Sequence, residues 1–125
     1  MKNRYFSIFF ALCFLQLTAQ NTWSSIAPFG GGERERGVAF VIGGRAYVGT
    51  GIDSANLCRS DIWEYDPGTN SWTQKANLPG PGRRDAIAFT IGSRGYVGTG
   101  INTILAFTGT KRRDLYEYNP ITNTW

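Results

Sequence analysis

Arginines at matching intervals are the residues of this chain best suited to chemistry. Arg34 and Arg36 lie in one glycine-flanked segment, and Arg83 and Asp85, with Arg84 beside them, occupy the same places 49 residues later. Planar guanidinium groups hold carboxylates in a two-pronged grip, so such a set suits an acidic sugar or the carboxylates of a partner protein. Their other use is to pair with Glu33, Glu35 and Asp85 at a solvated surface, where ion pairs contribute little. Asp53 and Asn102 recur at the same interval and suit either a ligand or the capping of their own loops. Arg34, Arg36, Asp53, Arg83, Arg84 and Asn102 are therefore the candidate ligand-binding residues. No residue stands out as catalytic or metal-binding, and Lys111-Arg112-Arg113 reads as a solvated charge run.

Composition narrows the chemistry further. The 125 residues include no histidine, which removes the commonest general base and the commonest transition-metal ligand. The two cysteines, Cys13 and Cys58, form no Cys-x-x-Cys pair, and only Cys58 lies outside the leader, so no disulfide framework, metal site or other cofactor is expected. Residues 1–20 run from a basic start (Lys2, Arg4) through an apolar stretch, Phe6 to Leu17, to Thr18-Ala19-Gln20. That is the layout of a secretory signal peptide, and the apolar run is shorter than the ~20 residues a membrane-crossing helix needs. The expected destination is secreted, periplasmic or cell-surface, without a stable membrane span. Lipidation at Cys13 is not expected, since Leu12 precedes it and Phe14-Leu15 continues the apolar run. Beyond the leader, 11 basic residues face 9 acidic ones. A surplus this small argues against nucleic acid as a partner.

The elements that position the arginines are legible as a repeat. Residues 37–53 align with 86–102 at an offset of 49, with 11 of 17 pairs identical; 61–72 aligns with 114–125 at an offset of 53. Each unit reads as four strands. Strand A, Val38 to Ile42 or Ile87 to Ile91, is an apolar run without alternation, which predicts burial on both faces. Gly43-Gly44 and Gly92-Ser93 supply positive-φ positions for a tight hairpin into strand B, Ala46 to Gly51 or Gly95 to Gly100. Strand C spans 61–66 or 114–118, and a turn containing Pro67 or Pro120 leads to strand D, which Trp72 opens and which runs to about Ala76. The tryptophans at repeat-locked positions are expected to pack between units.

A four-stranded unit repeating every ~50 residues hides its faces only against its neighbours, which is the logic of a β-propeller. The apolar strand ending in glycines, and the Tyr65-x6-Trp72 and Tyr118-x6-Trp125 spacings, resemble the kelch repeat. The resemblance covers nearly all of residues 23–125 and departs from the family at Gly49-Thr50-Gly51 and Gly98-Thr99-Gly100, where the family usually has adjacent glycines. It implies an all-β fold of kelch-type propeller blades, four-stranded antiparallel meanders, with about two blades of an incomplete propeller in residues 21–125. One blade spans 37–76 behind a leading loop 26–36, and an incomplete blade spans 86–125 behind a leading loop 77–85. The remaining blades are expected from a longer form of the same chain or from copies of it.

Up-and-down strands place the B to C and D to A loops on one rim, and that rim carries the candidate arginines; the opposite rim consists of tight turns with little to offer a ligand. The expected function is therefore an exported, non-catalytic binding segment for a protein or a carbohydrate. The alternative is part of an exported sugar enzyme resembling N-acetylneuraminate epimerases, with the arginines turned toward a sugar carboxylate. A copper site like that of galactose oxidase is not available to a segment without histidine.

Overall fold

The computed structural model describes residues 22–102 and 109–125. The leader and part of the second B to C loop lie outside them. The first blade is a four-stranded antiparallel meander of β2 (Val38–Ile42), β3 (Arg45–Gly49), β5 (Ile62–Asp66) and β6 (Ser71–Lys75). The second pairs β7 (Ile87–Ile91), β8 (Arg94–Gly98) and β11 (Leu115–Tyr118). Two small ladders decorate the loops: β1 (Arg34–Glu35) with β4 (Ile52–Asp53), and β9 (Ile101–Asn102) with β10 (Thr110–Lys111). No helix occurs among the described residues, and the fold is the all-β, kelch-type arrangement that the repeat implies.

Strand B ends earlier than its sequence suggests, at Gly49 and Gly98. Thr50 and Gly51 have φ of 54° and 82°, and Thr99 and Gly100 of 61° and 87°, so the chain leaves the sheet in a left-handed step. The step is held from two sides: Thr50 N–H donates to the Asp61 carbonyl (3.0 Å) and Gly51 N–H to that of Arg83 in the next blade's leading loop (2.7 Å). A side chain at Gly51 would press on the Glu35 carbonyl, which is why this place stays glycine. The hairpin turns also differ. Gly43 and Gly44 are both left-handed, whereas in the second blade Gly92 alone is, with Ser93 in an ordinary conformation. Only the first central residue of a II′-type turn needs positive φ.

The core is the gap between the blades. Val38, Phe40, Ile42, Tyr47 and Ile62 of the first blade meet Val97 and Tyr118 of the second, with Ala88 and Tyr116 packed alongside. Phe40 stacks on Tyr47 (centroids 5.1 Å apart), and Tyr47 meets Tyr118 edge-on (5.6 Å). This corrects the reading of strand A. β2 alternates: Val38, Phe40 and Ile42 are buried while Ala39 and Val41 are exposed. In β7 the counterparts of the buried three are open: Phe89 is 38% exposed against 5% for Phe40, and Ile91 is 62% against 6% for Ile42. A continuous apolar strand is buried on two faces only with a blade on each side.

The outer edges are stitched by a device used twice. Asn70 Oδ1 accepts from Ala27 N–H (2.9 Å) and Tyr65 O–H (2.8 Å), while the Trp72 indole N–H donates to the Ala27 carbonyl (3.0 Å). In the second blade, Asn123 accepts from Ala76 N–H (2.8 Å) and Tyr118 O–H (2.9 Å), and Trp125 donates to the Ala76 carbonyl (2.8 Å). The Tyr-x6-Trp spacing thus sets a tyrosine and a tryptophan on either side of an asparagine, and all three grip the strand exit one unit upstream. Trp23, at the same repeat position as Trp72, is fully exposed and packs between no blades. Asn123→Gly keeps the left-handed conformation (φ 53°) but removes the acceptor. We expect a loss of about 1–3 kcal/mol, read as a lower urea midpoint with an unchanged slope.

Candidate functional site

The rim is built by loops held at both ends by sheet. Arg34 leaves β1 with its guanidinium turned inward: Nη1 donates to Asp61 Oδ1 and the Thr50 carbonyl, both at 2.8 Å, and Nη2 to Asp61 Oδ2 (3.1 Å) and the Gly31 carbonyl (2.7 Å). The second blade repeats it. Arg83 Nη1 donates to Asp114 Oδ1 (2.5 Å) and the Thr99 carbonyl (3.2 Å), and Nη2 to Asp114 Oδ2 (3.1 Å) and the Pro79 carbonyl (3.3 Å). Each guanidinium also lies over a ring, Phe29 at 5.7 Å or Tyr116 at 5.8 Å. The Arg83 side chain is wholly buried and that of Arg34 nearly so. Burial works to raise the Asp61 carboxyl, but hydrogen bonds from Arg34 and Trp63 and the charge of Arg34 outweigh it, leaving it below the usual carboxylate range. The Arg83 hydrogen bond, against a smaller effect of burial, lowers Asp114 likewise.

The other candidates meet at the junction of the two blades. Arg36 grips Asp85 through Nε (2.7 Å) and Nη2 (2.5 Å), while Arg84 Nη1 reaches the same carboxylate at 3.0 Å. The Asp85 N–H donates to the Arg36 carbonyl (3.1 Å), fixing the two loops to one another. Asp53 Oδ1 accepts from the N–H groups of Ala55 (3.0 Å) and Leu57 (2.9 Å), and Oδ2 pairs with the Arg59 guanidinium. The bond from Leu57, with Arg59, holds its carboxyl low against the effect of burial. Asn102 diverges from Asp53: its Nδ2 donates to the Gly82 carbonyl in the leading loop (2.5 Å).

Arg36, Arg84 and Asp85 are thus brought together, Arg34 and Arg83 anchor one leading loop each to its own blade, and Asp53 and Asn102 brace loops. Asp61, Asp114 and Arg59 escaped attention in the sequence, although Asp61 and Asp114 recur in the same repeat as the arginines they bind. A crevice of about 370 Å³ opens among Asp53, Arg59, Ser60, Trp63, Gln74 and Asn77, and another of about 390 Å³ among Glu33, Glu35, Ile52, Ser54 and Asn56. Cys58 is half-buried and forms no disulfide. Among the described residues no group of three His, Cys, Asp or Glu is placed to hold a metal ion, and no helix is long and apolar enough to cross a membrane.

The opposite rim holds more than tight turns. Tyr47 O–H donates to Glu64 Oε2 (2.5 Å), and Glu64 Oε1 takes Arg45 (3.1 Å) and Lys75 (3.3 Å) beside a cavity of about 430 Å³ closed by Pro120 and Ile121. Burial opposes ionisation of Glu64, but Tyr47, Lys75 and Arg45 together hold it below its usual value. Burial and the Glu64 charge push the Tyr118 phenol up to about 12.

Two outcomes follow. Asp61, Glu64 and Asp114 all have depressed folded-state values, so their contribution is complete above their unfolded values near pH 4 and is lost as pH falls through the folded ones. Urea midpoints are therefore expected to be level from about pH 7 to about pH 5 and to drop below about pH 4. Arg83→Met strips a buried pair of one partner and is expected to cost about 3 kcal/mol, measured by the same denaturation.

Comparison with known proteins agrees with this geometry. A family model described as the kelch motif matches residues 36–79. The solved structure of YjhT, a kelch-type propeller protein, aligns with a TM-score of 0.60 at 29% identity, over 70% of this chain and 26% of that one. The chain thus spans about a quarter of the length of that neighbour. No curated protein sequence matches it.

Proposed function

We propose that this chain, which belongs to the kelch-repeat β-propellers, is an exported binding segment that takes carboxylate-bearing ligands, an acidic protein stretch or an acidic glycan, on the rim of its B to C and D to A loops. The distribution of charge carries the reading. Outside the leader, the rim holds eight basic residues (Arg34, Arg36, Arg59, Arg83, Arg84, Lys111, Arg112, Arg113) and six acidic ones (Glu33, Glu35, Asp53, Asp61, Asp85, Asp114). The rest balances three against three: Arg45, Lys75 and Arg94 with Glu64, Asp66 and Glu117. The whole positive surplus therefore sits on one rim, where loops ride on a rigid sheet.

Binding is favoured over catalysis by the state of the rim's carboxylates. Asp53, Asp61 and Asp114 are all held below the usual range. A carboxylate held in its ionised form is a poor general acid near neutral pH. Arg34 and Arg83 act as positioning residues in this reading, and the exposed Lys111 and Arg113, with the half-exposed Arg36 and Arg59, are the groups that meet the ligand.

The test is binding of the full chain to polygalacturonate oligomers and to an oligo-aspartate peptide, with neutral dextran as control. Replacing Lys111 and Arg113 with alanine is expected to weaken binding at least tenfold, about 1.4 kcal/mol, and added salt to weaken it further. Equal affinity for dextran, or an unchanged affinity in the double variant, defeats the proposal.

A further inference from the structure

The face that the first blade turns to the second is apolar only in part. Strand alternation puts Arg45, Tyr47, Glu64 and Lys75 on the same side of the sheet as Phe40 and Ile42. Where the apolar packing stops, a cavity of about 430 Å³ stays open between the blades. Arg45, Glu64 and Lys75 of the first blade form its polar wall, and Ile42 forms its apolar wall together with Pro120 and Ile121 from a turn of the second.

Donors and acceptors are unevenly matched on the polar wall. Glu64 is 8% exposed, and three donors converge on its carboxylate: Tyr47 O–H at 2.5 Å, Arg45 Nη1 at 3.1 Å and Lys75 Nζ at 3.3 Å. A carboxylate has about four acceptor positions, so Glu64 has little left to offer. Arg45 Nη1 also reaches Asp66 (2.7 Å), which does not line the cavity. Among the described residues, Arg45 Nε and Nη2 meet no acceptor and Lys75 Nζ meets only Glu64. Two cations with donors to spare thus flank one carboxylate that is nearly saturated, and the wall favours a ligand that accepts hydrogen bonds and carries negative charge.

The apolar wall indicates the rest of that ligand. Arg45, Tyr47 and Glu64 recur as Arg94, Tyr96 and Glu117, with Tyr96 O–H again on the glutamate (2.7 Å), so this trio belongs to the architecture of the blade. Ile121 does not recur: the first blade has Gly68 at the same position. Ile121 is 88% exposed, takes no place in the core and borders the cavity.

We propose that this cavity is a second binding site, for a small free monocarboxylate with a short apolar tail. The carboxylate lies between Lys75 Nζ and the Arg45 guanidinium, and the tail lies against Ile42, Pro120 and Ile121. The site shares no residue with the rim and does not depend on what the rim binds.

Titration of the full chain with isocaproate, followed by nuclear magnetic resonance, tests the site, and saturable binding with a Kd below about 10 mM is expected. Isocaproamide, the neutral isostere, is expected to bind about tenfold more weakly. N-acetylleucine carries the same end group as a peptide terminus, and it is expected to bind more weakly than isocaproate because its amide must leave water beside an apolar wall. Lys75→Gln is expected to weaken isocaproate about tenfold. Ile121→Gly, at an exposed turn position, is expected to weaken it about threefold, and Ile121→Leu to restore it. Replacing Lys111 and Arg113 with alanine is expected to leave it unchanged, which separates the cavity from the rim. The proposal is overturned by an absence of saturable binding, by equal affinity for the amide, by tighter binding of N-acetylleucine, by an Ile121→Gly chain that binds as before, or by loss of binding on the rim substitutions.

Discussion

Arg83 is the residue on which the two-blade assembly depends. Its side chain is completely buried yet charged, a state that is costly unless a counter-charge and hydrogen bonds offset it, and here the two Nη groups are paired while the buried Nε is not. Its guanidinium finds Asp114 and the Thr99 and Pro79 carbonyls, so the side chain belongs to the second blade. Its backbone belongs to the first: Arg83 N–H donates to the Arg59 carbonyl and its own carbonyl accepts from Gly51 N–H. One residue thereby fixes a leading loop to the sheet that follows and to the loop that precedes. The left-handed Gly49-Thr50-Gly51 step presents the Thr50 carbonyl to the Arg34 guanidinium and the Gly51 N–H to the Arg83 backbone, and Thr99 offers its carbonyl to Arg83 in the same way.

The same economy explains the unequal roles of the arginines. A guanidinium whose two Nη groups meet four acceptors inside the loop cannot also grip a ligand, and the Nε groups of Arg34 and Arg83, which have no partner, are buried out of a ligand's reach. What they provide is a rim that does not reorganise when something lands on it. Such rigidity suits a binding surface, because side chains at its edge lose little further freedom on contact.

Sequence alone carried the fold a long way and the site only part of it. The meander and the hairpins were legible because each depends on local features: apolar runs, Gly43-Gly44 and Gly92-Ser93, Pro67 and Pro120. The misreadings share a cause, which is partners distant in the chain. Asn70 looks like a local turn residue but binds Ala27, 43 residues away, and Asn123 binds Ala76 at 47. Asp61 was visible as a repeated residue, but nothing in its neighbourhood says that Arg34 lies against it. The alternation of β2 was illegible for another reason: a strand made to be covered on both sides has the same sequence whether or not its neighbour is there.

Repeat alignment also conceals direction. Lining up Arg36 with Asp85 suggests a place where identity has drifted, whereas in space the two are a bonded pair. Opposite faces of consecutive blades meet across the gap, so a residue that differs between units is fitted to a different neighbour. Phe40 over Gly95, where the first blade has Ala46, is the apolar version of the same rule. A chain of blades built this way has a defined order, because each face is shaped for the neighbour on one side and not for its own copy in the same blade. Rim and flank thus answer to different demands. The flank's differences between units are read by the next blade, while those of the rim, in loop length and charge, face solvent and are open to be read by a ligand.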